Sequence, residues 1–229
     1  AMLVQWGHQV DVQRTALFID GKAEQLAVGT SEEVRRHRDA VAQAALSLPT
    51  LGAPTLLRQV SSVHPGFLSL LSADALGQVQ YSMLRGEAPR QRATDGSDRA
   101  NFRETVARGE PTGSPVFPGR GLGSDQIVAV AAPVRASDGR IDGVLQGSLS
   151  LGQLVLEERN RLDTADLRYA VSDAVGQIVM SSLPDLPVKT SSVIARGRLD
   201  GHAAQPWWAQ RLYAAPRLVF DAKTQFLVA

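Results

Sequence analysis

The sequence predicts an α+β protein, with a long N-terminal helix followed by two tandem modules built on antiparallel sheets, the second one small. Three observations carry that prediction. A helical stretch of about 45 residues opens the chain, longer than a globular core normally demands. Apolar and alternating segments separated by short turns follow, an order that suits antiparallel strands rather than a parallel doubly wound sheet. One turn-forming phrase occurs twice: "SADALGQVQYS" from Ser72 and "SDAVGQIVMSS" from Ser172, each with an Asp-Ala-x-Gly-Gln turn running into alternating apolar residues.

Taken in order, residues 2–28 carry Leu3, Val4, Val10, Leu17, Phe18, Leu26 and Val28 at helical spacing. Gly29-Thr30 breaks this helix, and "TSEEV" reads as a capped restart with acids in its first turn. The second piece, residues 31–48, sets Val34, Val41, Ala45 and Leu48 on one face and ends at Pro49. A short helix follows over residues 54–63. "GFLSLLSADALGQVQYSML" is a β-hairpin in which Gly77 supplies the positive φ of the turn. Residues 85–97, polar throughout, read as a loop. Asp98 reads as the N-cap of a helix ending near Arg108, and "GEPTGSPVFPGRGLGSD" as a long loop. "QIVAVAAPV" and "GVLQGSLSL" form a second hairpin, residues 152–165 a helix, and the repeated phrase a third hairpin. Residues 183–206 are irregular, and "RLYAAPRLV" and "TQFLVA" close the chain as strands. The expected modules are residues 1–50 (stalk helix), 51–160 (the larger sheet module) and 161–229 (the smaller one).

Composition narrows the function classes. A net charge of +1 offers no field of one sign, so nucleic acid is not an expected partner. The chain has no cysteine, which excludes a disulfide framework, a thiol nucleophile and a cysteine metal site. His8, His37, His64 and His202 are scattered, without an HExxH pair or an Asp/Glu cluster, so no metal, no cofactor and no catalytic residue is expected. "GRGLGSD" neither follows a strand nor opens a helix, which argues against a phosphate loop. No stretch reaches the 18–20 apolar residues that span a bilayer. The opening Ala1-Met2 reads as a cloning remnant, so the chain is expected to be a fragment of a longer protein.

The order of pieces resembles a known family. "LLRQVSSVHPGFLSLLSADALGQVQYS", "DRANFRETVARGEPTGSPVF" and "IVAVAAPVRASDGRIDGVLQGSLSL" are similar to the double Cache (PAS-like) extracytoplasmic sensor domains of bacterial transmembrane receptors. The resemblance covers residues 54–155 best. The first 50 residues fit the family's stalk helix, and residues 165–229 a shortened membrane-proximal module. It implies a periplasmic input domain of an inner-membrane histidine kinase, diguanylate cyclase or chemoreceptor, binding a small molecule in the membrane-distal module. Shifts of the long helix or of the last strand would carry the signal into transmembrane helices beyond the fragment.

The resemblance also nominates residues. Arg99 falls where amino-acid-sensing relatives place an Arg on the ligand carboxylate, a role that suits its planar two-pronged guanidinium. The alternative is a surface pair with Asp98 or Glu104. Phe102 matches an aromatic that faces the ligand, against a default core role. Asn101 stands where the amino-acid-binding version prefers Trp. Tyr81 either presents its hydroxyl to the cavity or reaches water at the sheet's covered edge. Ser148 replaces the Asp that pairs with an amino acid's ammonium. Without that carboxylate, burying an ammonium costs several kcal/mol, so an organic acid or other small anion is expected over an amino acid. Of the adjacent pair Trp207-Trp208, one side chain enters the small module's core and the other lies outside. A competing expectation is an interaction module with a vestigial pocket, forming a homodimer through the N-terminal helix, although that helix lacks clean heptads.

Overall fold

The computed structural model describes residues 2–119, 126–162, 169–173, 178–181, 217–218 and 224–228. Helix α1 runs unbroken from Met2 to Leu51. The break expected at Gly29-Thr30 is absent, and the helix continues two residues past Pro49. Mid-helix glycine costs about 1 kcal/mol against alanine, but here it makes room. A Cβ on Gly29 would overlap the carboxylate of Glu158, which is buried and paired with Arg161 Nη1 at 2.6 Å. "TSEEV" is therefore helix interior, with Thr30 fully buried rather than capping.

Helix α2 (Ala53–Val63) begins after Gly52, whose φ of 73° turns the chain. It buries Leu56, Leu57 and Val60. Strands β1 (Phe67–Asp74), β2 (Gln78–Leu84) and β3 (Arg90–Asp95) form a meander. The expected loop at 85–97 thus contains an edge strand. All six of its residues are exposed, so it carries no apolar alternation for a sequence reading to detect. Helix α3 (Ala100–Arg108) is followed by the two-residue strands β4 (Thr112–Gly113) and β5 (Phe117–Pro118) within the segment expected to be loop. Strands β6 (Gln126–Arg135) and β7 (Ile141–Ser150) are the predicted second hairpin, and α4 (Leu151–Arg161) the predicted helix.

The first sheet has seven strands in the order β3-β2-β1-β7-β6-β4, with β5 also pairing β6. Its centre is buried, Ile127–Ala132 of the apolar β6 and Val144–Ser150 of β7 being inaccessible, although one face of β7 carries the buried polar side chains of Gln146, Ser148 and Ser150. One face receives α3, where Phe102 packs with Ala73, Ala131 and Val144, and Leu71 and Val106 close around them. On β7 a Cβ at Gly147 would overlap the ring of Phe67, a wholly buried side chain that also meets His37 edge-on at 4.8 Å between centroids.

A second, four-stranded sheet has the order β10-β11-β8-β9, formed by β8 (Tyr169–Asp173), β9 (Ile178–Ser181), β10 (Arg217–Leu218) and β11 (Thr224–Val228). The long helix with antiparallel sheets and mixed helices is the α+β architecture the sequence predicts. Two compact units result: residues 33–154, and residues 1–32 together with 155–229. The turn of the third hairpin, the irregular stretch 183–206 and the Trp207-Trp208 pair lie outside the described residues.

The repeated phrase has a structural meaning. In the first copy Asp74 Oδ1 accepts hydrogen bonds from the backbone N–H of Leu76 at 3.0 Å and of Gln78 at 2.9 Å, while Oδ2 accepts from Gln80 Nε2 at 2.9 Å. Gly77 takes φ 84°, donating its N–H to the Asp74 carbonyl. Ala73 pairs with Val79 and Ser72 with Tyr81, a one-residue bulge. In the second copy Ser172 pairs with Ile178 and Val171 with Met180, the same bulge at the same place.

Candidate functional site

The turn that presents Arg99 is held from below by the first hairpin. Gly96 donates its N–H to the Gly77 carbonyl at 2.9 Å, and a Cβ on Gly77 would collide with Ser97. Asp95 Oδ1 accepts the Ser97 N–H at 2.8 Å, and hydrogen bonding from Ser97 holds the Asp95 carboxyl below its usual pKa. Arg99 then donates its backbone N–H to Gly96 O at 3.1 Å and occupies the N-cap position of α3. The N-cap expected at Asp98 is therefore one residue later. It falls to a residue whose guanidinium has only donors and so cannot cap the helix N–H groups.

Two cavities meet at this residue. One, of about 280 Å³, is lined by Asp98, Arg99, Ala100, Asn101, Ser114, Pro115 and Phe117. The other, of about 200 Å³, lies over the sheet and shares Arg99 and Phe117 with the first. Its floor comes from β1, β2 and β7, through Ser69, Leu71, Ser82 and Ser148, and its side from Arg92 and Thr94 of β3. Register explains the grouping. Ser69 pairs with both Leu84 and Ser148, and Leu71 with Ser82, so these side chains share one face of the sheet. Arg92 and Thr94, two apart on β3, share a face as well.

The Arg99 Nε is buried and has no hydrogen-bond partner among the described residues. Beside it, the polar groups are already engaged. Asn101 Nδ2 donates to Gln146 Oε1 at 2.5 Å, and the Asn101 carbonyl accepts from Thr105 Oγ1 at 2.8 Å. Thr105 and Thr112 share a hydroxyl contact at 2.5 Å. Ser114 Oγ accepts the Ala129 N–H at 2.9 Å and donates to Pro115 O at 2.8 Å. This buried polar chain fixes α3 to β4, β6 and β7 and holds the N-terminal end of the helix in place.

Of the five residues nominated by the sequence, Arg99, Asn101 and Ser148 line these cavities. Phe102 does not. It is 8% exposed and packs on the sheet, the core role expected of a helical phenylalanine. Tyr81 does not either. The bulge between Val79 and Tyr81 shifts the alternation, so Tyr81 faces with Ser72 while Val79 and Ser82 face the cavity. Ser69, Ser82, Arg92, Thr94 and Phe117 line the second cavity without having been singled out from the sequence. An alternation of Arg92 with Thr94 is visible in "RQRATD", but with no apolar partner strand face it carries no signal of orientation. No His/Cys/Asp/Glu grouping able to hold a metal occurs among the described residues, and no described helix is long and apolar enough to cross a membrane.

No protein-family model matches the chain, and no curated protein does. Solved structures do match. The ligand-binding domain of the Pseudomonas fluorescens chemoreceptor CtaA, in complex with L-valine, is similar with a TM-score of 0.65 at 16% identity, over 94% of this chain and 96% of that one. The ligand-binding domain of the Pseudomonas aeruginosa amino-acid chemoreceptor PctC, in complex with GABA, gives 0.61 at 18% identity over 93% and 98%. The extracellular domain of a histidine kinase gives 0.66 at 15% identity over 96% and 95%. The ligands of the two chemoreceptors are amino acids, which runs against the expected preference for an organic acid. At these identities the likeness establishes the fold: the chain has the architecture of the ligand-binding domains of chemoreceptors and histidine kinases.

Proposed function

We propose that the chain is the extracytoplasmic sensor region of a membrane receptor, a double Cache domain whose larger unit binds a small carboxylate at Arg99. The observation that carries this reading is the guanidinium itself. Arg99 borders both cavities with a sealed Nε that has no partner among the described residues. A buried donor left unsatisfied costs about 1–3 kcal/mol, and a bound carboxylate removes that cost through a charge-assisted bond. The fold adds support, since both chemoreceptor neighbours are named with a carboxylate-bearing ligand. In this reading residues 51–160 are the membrane-distal module, residues 161–229 the membrane-proximal one and residues 1–50 the stalk. Asn101 sets the position of the α3 N-terminus through Gln146, Ser148 offers a hydroxyl on the cavity floor, and no bond is made or broken.

The test is a thermal-shift screen of the chain against organic acids, amino acids, purines and polyamines. A ligand at 100 times its Kd adds about 2.7 kcal/mol of stability. The expected result is stabilisation by carboxylates that Arg99→Ala abolishes. A screen in which no carboxylate shifts the melt, or in which Arg99→Ala retains the full shift, contradicts the reading.

A second reading, self-association, is favoured by a groove of about 230 Å³ between α1 and α2. It is lined by Ala40, Ala44, Leu51, Leu56 and Val63. Leu51 and Val63 there, and Leu46 nearby in the chain, are exposed. Sedimentation velocity decides it: a dimer that Val63→Glu dissociates supports pairing, and a monomer across the concentration range refutes it.

A further inference from the structure

The cavity over the sheet contains a second cation that the sensing reading does not use. Arg92 of β3 lines it together with Arg99, and the remaining polar lining is neutral: the hydroxyls of Ser69, Ser82, Thr94 and Ser148. No carboxylate side chain is among the described lining residues; Asp98, next to Arg99 in sequence, lines the other cavity instead. We propose that this cavity takes a small dicarboxylate, one carboxylate on Arg99 and the other on Arg92, with the hydroxyls completing the bonds to its oxygens. This inference rests on the sensing reading and sharpens it to a ligand class.

Three physical points favour two anionic groups over one. Two guanidinium groups lining one half-open cavity repel each other, a repulsion that an anion between them relieves, and each matches a carboxylate through paired N–H bonds. An ammonium placed here would meet two positive charges and no acid among the described lining residues, so nothing there would offset its desolvation. The volume of about 200 Å³ falls below the roughly 300–1,000 Å³ of drug-sized sites, which limits the guest to a short chain. The local geometry aims Arg92 without help from a core. A register shift in the β2–β3 ladder lies between Val79 and Tyr81, opposite residues 92 and 93, and such irregularities re-aim side chains at sheet edges.

Titration calorimetry on the full chain tests this with probes of stated chemistry: malonate, succinate and glutarate as dicarboxylates of increasing span, and butyrate and 4-aminobutyrate as monocarboxylates. The expected result is that one dicarboxylate binds at least about tenfold more tightly than either monocarboxylate. Arg92→Gln is expected to cancel that advantage while Arg99-dependent butyrate binding remains, and because Arg92 sits on an exposed strand its loss leaves the core intact. Arg99→Gln is expected to weaken all of them. Butyrate or 4-aminobutyrate binding as tightly as the best dicarboxylate overturns the inference, as does Arg92→Gln leaving the dicarboxylate advantage in place. In those two outcomes Arg99-dependent binding of a monocarboxylate still stands, so the sensing reading survives. Failure of all three dicarboxylates to bind also overturns the inference, whatever the wider screen finds.

Discussion

Asn101 and Gln146 form a side-chain pair buried in the larger unit, with both residues at 5% exposure or less. In such a place each amide depends on the other, and loss of one partner leaves the second desolvated at a cost of about 1–3 kcal/mol. Gln146→Leu is therefore expected to destabilise the protein by that amount, measured by urea unfolding. The double variant Asn101→Leu/Gln146→Leu should lose less than the sum of the two single changes; strict additivity would show the pair is not coupled. Residue-scale legibility in the sequence was uneven. Arg99 and Ser148 were nominated from a family pattern, and both line the cavities. Two orientations were open for Tyr81: strict alternation from Val79 would put it on the cavity face, and the bulge at Gln80 turns it to the other. Arg92 was missed because an all-polar edge strand has no hydrophobic period to reveal its faces.

At the scale of elements, the repeated Asp-Ala-x-Gly-Gln phrase was the most reliable signal, because its physics is local. A side-chain carboxylate that collects two backbone N–H groups and a glycine at positive φ determine the hairpin without reference to the rest of the chain. Helix α1 shows the opposite case. Gly29-Thr30 reads locally as a break, yet the helix continues and Gly29 lies against Glu158 from α4, a contact that no window of sequence contains. The stripe buried along α1 also includes Thr30 and His37, so it does not look apolar in sequence. Close approach makes a clear prediction on β7. Gly147→Ala would place a Cβ against the immobile Phe67 ring, and overpacking of this kind costs about 1–3 kcal/mol. A chemical-denaturation midpoint equal to wild type would contradict that packing.

The end of α2 supplies an acid-sensitive element. Burial holds the His64 imidazole below its usual pKa of 6.5, the neighbouring His37 adds to the effect, and Glu33 opposes it. His37 Nδ1 lies 2.8 Å from Glu33 O and 3.3 Å from the Glu33 carboxylate, which also pairs with Arg36. With its folded pKa depressed, His64 binds fewer protons in the native state than in the unfolded chain. Its contribution is thus complete above about pH 6.5 and is lost as pH falls through the folded value. The melting temperature should drop on acidification from pH 7.5 to 5, and His64→Gln should remove part of that drop. Superimposable acid profiles for the two proteins would contradict this assignment.

For the whole molecule, tandem sheets after a long helix were legible because turn chemistry and element order are written in short windows. The grouping of residues 1–32 with 155–229 was not, since it depends on contacts more than a hundred positions apart, such as Lys22 Nζ on the Leu162 carbonyl at 3.0 Å. The central claim is that a small acid lodges beside Arg99 between β1, β3 and the start of α3. Hydrogen–deuterium exchange, with and without the strongest carboxylate from the thermal screen, tests it most directly. Protection confined to residues 69–71, 92–101 and 114–117 is the predicted result. Protection concentrated instead in β8, β9 and β11, or none at saturating acid, would contradict the account.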